Sequence, residues 1–267
     1  MLKKLIKYDF KFSAKYFLLA YIIFGVLTLL GAGSIFLLAY GNSIFNVIAV
    51  LILVIYFIVF GCMFVLPMLI SSLYFYQQCV SPSAYLTFTL PVTTKKILFS
   101  KLFVCFSWAC ITYFTIFLSA SGLIAVTGSV LKDNAFVSEL IDFVIQAFKD
   151  AFTSNIPYLV MTCIVVFISF VAAILLNHIL IFFAMGIGQT ASRQKFLMSA
   201  LCYIILNVFL QIANAAITFA AFLFIGDISA HDYYYTVQLL VKAIPDICFV
   251  FGAFFLTNRL FTKKLNL

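Results

Sequence analysis

Few side chains in this sequence could do polar chemistry, and they are scattered. Asn207, Gln211 and Asn214 recur at i, i+4 and i+7 within an apolar run, so one helical face carries all three. Amides facing lipid are costly, so this face must meet protein or a water-filled path. It serves either as hydrogen-bonding glue between helices or as the lining of a substrate path. Asn177 and His178 read as packed or capping groups rather than ligands. Two histidines leave no basis for a histidine-built metal site. The seven cysteines contain no C-x-x-C pair, so they read as packing thiols rather than a disulfide framework or zinc site. The eight acids look too few and too peripheral for a proton relay inside a membrane. Lys242 and Asp246 lie one turn apart and could pair, marking either an exit region or a neutralised helix start. There is no G-x-x-x-x-G-K-[ST], no H-E-x-x-H and no G-x-S-x-G. Gly186-x-Gly188 lacks the preceding strand and third glycine of a dinucleotide turn. No catalytic residue, metal ligand or bound cofactor is therefore assigned, and any energy for work must come from elsewhere.

What positions these groups is set by composition. Of 267 residues, 66% are hydrophobic and 9% charged, with mean hydropathy +1.22. Soluble domains carry about a quarter charged residues, so membrane burial is the class that fits. The expected fold is an all-α integral membrane protein forming a single transmembrane domain over 1–267. A spanning helix needs about 20 apolar residues, and six stretches qualify: roughly 16–40, 44–76, 97–127, 157–188, 196–225 and 237–261. Pro67 predicts a kink in the second. Lys242, Pro245 and Asp246 interrupt the sixth, predicting a half-helix that dips in from outside and breaks at the proline.

Charge orients the spans. With the N-terminus inside, the inner segments hold Lys3, Lys4, Lys7, Lys11, Lys15, Lys95, Lys96, Lys101, Arg193, Lys195, Arg259, Lys263 and Lys264. The outer segments hold Lys132, Lys149 and Lys242, and seven of the eight acids, all but Asp9, fall there. Short loops carry the positive-inside bias, so both termini are expected in the cytoplasm of a cell-membrane protein. The net charge of +8 is thereby directed at lipid, not nucleic acid.

Three segments outside the spans have their own pattern. In 1–15 the lysines recur every four residues opposite Leu2, Leu5, Ile6 and Phe10, which predicts a basic amphipathic helix on an anionic membrane surface. A cleaved signal peptide is the rival, but the apolar run is too long and further spans follow. In 133–155 apolar residues at helical spacing predict an amphipathic helix on the outer interface, either packing over the bundle or gating it. The third is 77–101. Ser81-Pro82 is a helix-start signal, Tyr85, Leu86 and Phe88 are apolar groups on offer, and Pro91 ends the helix. Thr93 or Thr94 can then cap the next helix. Such a short cytoplasmic helix rests on the membrane interface or inserts into a groove on a soluble partner.

The phrase Tyr85–Lys101, YLTFTLPVTTKKILFSK, resembles the loop before the third span in permease subunits of type-2 ABC exporters of Gram-positive bacteria. GIGQTASRQK at 186–195 is similar to a second phrase of that family, and six spans with both ends inside agree in layout. Relatives tend to carry acids just before the tyrosine-leucine phrase, whereas this chain reads Ser81-Pro82-Ser83-Ala84. The resemblance implies a permease without its own ATPase, moving an amphipathic or hydrophobic substrate (peptide, lipid or drug) outward. It implies a dimer of two permease chains, homo- or heteromeric, each docked on a separate ABC ATP-binding subunit that holds ATP and Mg²⁺. Ser81, Pro82, Tyr85, Leu86, Phe88 and Pro91 would couple the ATPase to the spans, helped by the 1–15 helix. Asn207, Gln211 and Asn214 would lie near the substrate path. From the residues alone, a secondary transporter, a substrate-binding membrane component or a non-transporting sensor remain the alternatives.

Overall fold

The computed structural model describes residues 2–40, 42–81, 92–130, 156–189, 194–225 and 234–263, with positions 139, 142, 143, 145, 146 and 149 between them. The long described segments are α-helices: α1 Leu2–Tyr40, α2 Ser43–Cys79, α3 Thr94–Val130, α4 Ile156–Gly188, α5 Lys195–Ile225 and α6 Tyr234–Lys263. All six are long and apolar enough to cross a membrane. Helix is the form such runs must take, because hydrocarbon offers no water to satisfy backbone N–H and C=O groups. The 39 residues of α1 measure about 58 Å along the axis, against about 30 Å of hydrocarbon.

Each helix encloses its expected span and extends past it. α1 is unbroken from Leu2, so the basic stretch and the first span form one rod. Its lysines at 3, 4, 7, 11 and 15 are exposed, while Asp9, Ser13, Phe17 and Phe24 are buried along the opposite stripe. α2 runs through Pro67 and α6 through Pro245. The expected break at Pro245 is therefore corrected. The proline removes one helical hydrogen bond, and α6 is held along its length by α4 and α5. Of 133–155, the described positions are helical and exposed, Phe143 and Ile145 included. Residues 82–91 and 226–233 lie outside the described residues.

The chain divides into two compact units. One comprises Lys11–Ile70 and Ser107–Ser154. Its core joins Phe24 and Ile35 of α1, Tyr56 and Met63 of α2, and Ile116 and Leu123 of α3. The Tyr56 ring packs over Gly31 at ordinary contact distance, 3.6 Å from where a Cβ would stand. Phe17 stacks on Trp108, centroids 4.8 Å apart. Hydroxyls tie the helices at successive levels: Trp108 Nε1 donates to Ser13 Oγ at 2.9 Å, Tyr21 meets Thr112 at 2.8 Å, Thr28 meets Ser119 at 3.0 Å, and Tyr56 meets Ser119 at 2.7 Å. In a bilayer, where apolar burial gives little drive for helix association, such bonds and close small-residue packing hold helices together.

The other unit comprises Met1–Phe10, Ser71–Phe106 and Asn155–Leu267. α4 is its centre, with buried Ile174, Leu176, Ile179, Ile181, Phe182 and Met185. Phe182 stacks on Phe75 of α2 with centroids 3.9 Å apart, and Phe261 of α6 meets Phe75 edge-on at 5.8 Å. Two glycines allow this closeness. A Cβ at Gly186 would lie 3.3 Å from the Phe261 ring. One at Gly188 would lie 2.0 Å from Ser199 Oγ and 2.8 Å from the Ser199 backbone nitrogen, so α5 could not start where it does.

Candidate functional site

The second unit gathers the starts of α1, α3 and α5 with the ends of α2, α4 and α6; lysine and arginine lie at the starts of α1, α3 and α5 and the end of α6. At its centre lies an ion pair. Lys101 Nζ is 3.5 Å from Asp9 Oδ1, and the two side chains are 1% and 5% exposed. Ser100 Oγ donates to Asp9 Oδ2 at 2.7 Å. Lys101 also donates to Gln78 Oε1, and its ammonium sits 5.0 Å from the Tyr74 ring centroid. Buried Cys79 and Cys105 stand beside it. One carboxylate and one ammonium thus join α1, α2 and α3. A buried charge survives only when paired and hydrogen-bonded, and here both members are.

The same layer holds both roots of segment 82–91. On the α2 side, Val80 and Ser81 donate their backbone N–H to the Tyr76 carbonyl at 3.0 and 2.9 Å, and Ser81 Oγ donates to the Gln77 carbonyl at 2.5 Å. Gln189, at the end of α4, donates Nε2 to the Cys79 carbonyl at 2.9 Å. Tyr76 meets Phe196 of α5 edge-on at 5.7 Å. On the α3 side, Thr93 occupies the cap position, its carbonyl accepting from Lys96 and Ile97. Thr94 Oγ1 donates to Asn258 Oδ1 of α6 at 3.2 Å. The described residues flanking 82–91 are thus bonded to the ends of α4 and α6.

Of the residues singled out for coupling, Ser81 lies where its hydroxyl closes α2. Pro82, Tyr85, Leu86, Phe88 and Pro91 lie outside the described residues. The three amides of α5 have different surroundings. Asn207 is half-buried and hydrogen-bonds Tyr203, whose hydroxyl donates to Asn177 Oδ1 of α4 at 2.8 Å. Gln211 is exposed. Asn214 Nδ2 donates to Asp246 Oδ1 of α6 at 2.9 Å. Asn207 and Asn214 thus bond between helices, directly or through Tyr203, while Gln211 points out of the unit. His178 is buried, with Nδ1 donating to the Ile174 carbonyl at 2.7 Å.

Two expectations are corrected. Among the described residues Asp246 is not paired with Lys242, which is exposed; its partner is Asn214. Nor are the acids all peripheral. Asp9 and Asp246 are each 4% exposed, and Asp246 lies inside α6 because that helix does not break at Pro245. Sequence reasoning also missed the Asp9–Lys101 pair. It counted Lys101 as a surface charge, although the signal was there: Asp9 is the one acid among the inner basic residues, and Lys101 already sits within an apolar run, ILFSKLFVCF.

Comparisons with protein-family models, curated proteins and solved structures return no match.

Proposed function

We propose that the chain is the membrane-spanning permease of an ATP-driven exporter of the type-2 ABC kind. Segment 82–91 receives the movement of a separate ATP-hydrolysing subunit at the cytoplasmic face, and the lysine-rich helix ends lie on that side. Two permease chains form the transport path and move an amphipathic or hydrophobic substrate outward. The observation that carries this reading is the anchoring of 82–91. Its roots are tied by Gln189 to α4, by Asn258 to α6 and by the Asp9–Lys101 pair to α1. Bonds at both flanks give a movement of the segment a route into the helices, which a free linker would lack. The phrases at 85–101 and 186–195 and the positive-inside distribution support the same reading.

The test is affinity purification of the full chain from its native membrane in mild detergent. The expected result is co-recovery of an ATP-binding subunit, lost on Leu86→Asp while the chain still inserts in the membrane. Recovery of the chain without any ATPase, or full complex recovery with Leu86→Asp, would count against the reading.

One observation favours a second reading, transport driven by an ion gradient. Asp246 is a buried carboxylate inside a span, and ionisable groups there commonly mark ion pathways. Uptake into vesicles that follows an imposed proton gradient without ATP would select it.

A further inference from the structure

Asp246 lies twelve residues beyond Tyr234, the first residue of α6, about 18 Å along the axis. Asn214 lies eleven residues before Ile225, the last residue of α5, about 17 Å along its own axis. The two helices thus put the pair at matching depth, below the ends that segment 226–233 joins. Its surroundings are apolar. α4 runs parallel to α6, since Thr162 meets Thr236 at 3.3 Å and Gly186 faces Phe261. The stretch of α4 passing Asp246 is therefore about 169–176, SFVAAILL, with no titratable group. α5 carries none over 207–221. On α6 itself the neighbouring titratable groups are Lys242 and Cys248, both exposed.

Two groups in this setting are incompletely satisfied. Among the described residues Asp246 has no cationic partner, and its one hydrogen bond is from Asn214 Nδ2. A bare carboxylate in hydrocarbon is expensive. Asn214 Oδ1 is buried without a partner. It shares a carbon with Nδ2, so it stands within about 5 Å of the carboxylate. An unfilled buried acceptor costs about 1–3 kcal/mol. A primary amide and a carboxylic acid can make two bonds side by side: amide N–H to the acid carbonyl, and acid O–H to the amide carbonyl. The first is present at 2.9 Å. The second would form if the other carboxyl oxygen carried a proton and turned toward Asn214 Oδ1, giving that atom its donor. A metal cation would need more oxygen ligands than this pair supplies.

We propose that Asp246 and Asn214 form a proton-binding site within the membrane span, in which the carboxyl takes a proton from water and donates it in a hydrogen bond to Asn214 Oδ1. On release, the proton returns to water and the carboxylate keeps the Asn214 N–H bond. The proposal does not rest on the exporter reading, because it concerns the isolated chain.

Infrared spectroscopy of the purified full chain in lipid nanodiscs tests it. Without sodium, a protonated-carboxyl C=O band is expected within the pH range in which the chain stays folded, lost in Asp246→Asn. In Asn214→Leu that band should move to higher frequency, because the carbonyl loses its amide donor. Asp246→Asn has the same shape and keeps an acceptor for the Asn214 N–H, so thermal unfolding should stay close to that of the parent. The proposal is overturned if no band assignable to Asp246 is found across the pH range in which the chain stays folded. It is also overturned if the band ignores Asn214→Leu, or if sodium abolishes it, which would assign the carboxylate to a metal cation.

Discussion

Lys101 is fully buried, yet its ammonium has a carboxylate, an amide oxygen and an aromatic face around it. Removing one member of such a pair leaves the other charged and stranded, which costs about 3–5 kcal/mol, whereas replacing both with apolar groups is often neutral. Lys101→Met and Asp9→Leu should each lower the melting temperature of the purified chain sharply. The double variant should recover most of the loss, and a double-mutant cycle in detergent measures the coupling. Strictly additive losses would contradict the pair. The coupling reading adds a second expectation: the recovered double variant should fold yet transport poorly, because α1 would no longer be tied to the root of 82–91. Transport in proteoliposomes, compared with its melting temperature, separates the two effects.

At the scale of elements, the glycines at the end of α4 decide how closely α5 and α6 pack. Gly188→Ala would drive a methyl group into the Ser199 backbone, while Gly186→Ala meets only the edge of the Phe261 ring, which can shift. Gly188→Ala should therefore destabilise by about 1–3 kcal/mol and Gly186→Ala by clearly less, read by thermal unfolding. Adding Ser199→Ala should not rescue Gly188→Ala, since the nitrogen at 2.8 Å remains. The six helices were legible because each is an apolar run far longer than any loop, and hydrocarbon leaves no alternative backbone state. Their ends were less legible. α1 absorbs the basic stretch because its lysines repeat at helical spacing and nothing between Lys15 and Tyr16 stops a helix. α6 passes Pro245 because tertiary packing outweighs one lost hydrogen bond. Pairings such as Asp9 with Lys101 were not legible, since spacing along one helix does not report which face another helix covers. Gln211 shows the same gap: it shares a face with Asn207 and Asn214 in projection, but only those two reach a neighbouring side chain.

At the scale of the molecule, the starts of α1, α3 and α5 and the end of α6, all within one unit, carry basic residues, and the exporter reading places them in the cytoplasm by the positive-inside bias. In a cysteine-free background, Lys3→Cys and Lys263→Cys should resist a membrane-impermeant maleimide in intact cells, and Lys149→Cys should react. Reaction of Lys3→Cys from outside would reverse the orientation and remove 82–91 from the side where ATP is hydrolysed. The central claim is that 82–91 touches an ATPase. The most direct measurement is site-specific photocrosslinking in native membranes from a probe at Tyr85 or Leu86, with mass spectrometry of the adduct. The account predicts an adduct with an ATP-binding subunit, weakened when nucleotide is withdrawn. Adducts with lipid alone, or with no nucleotide-binding protein, would contradict it.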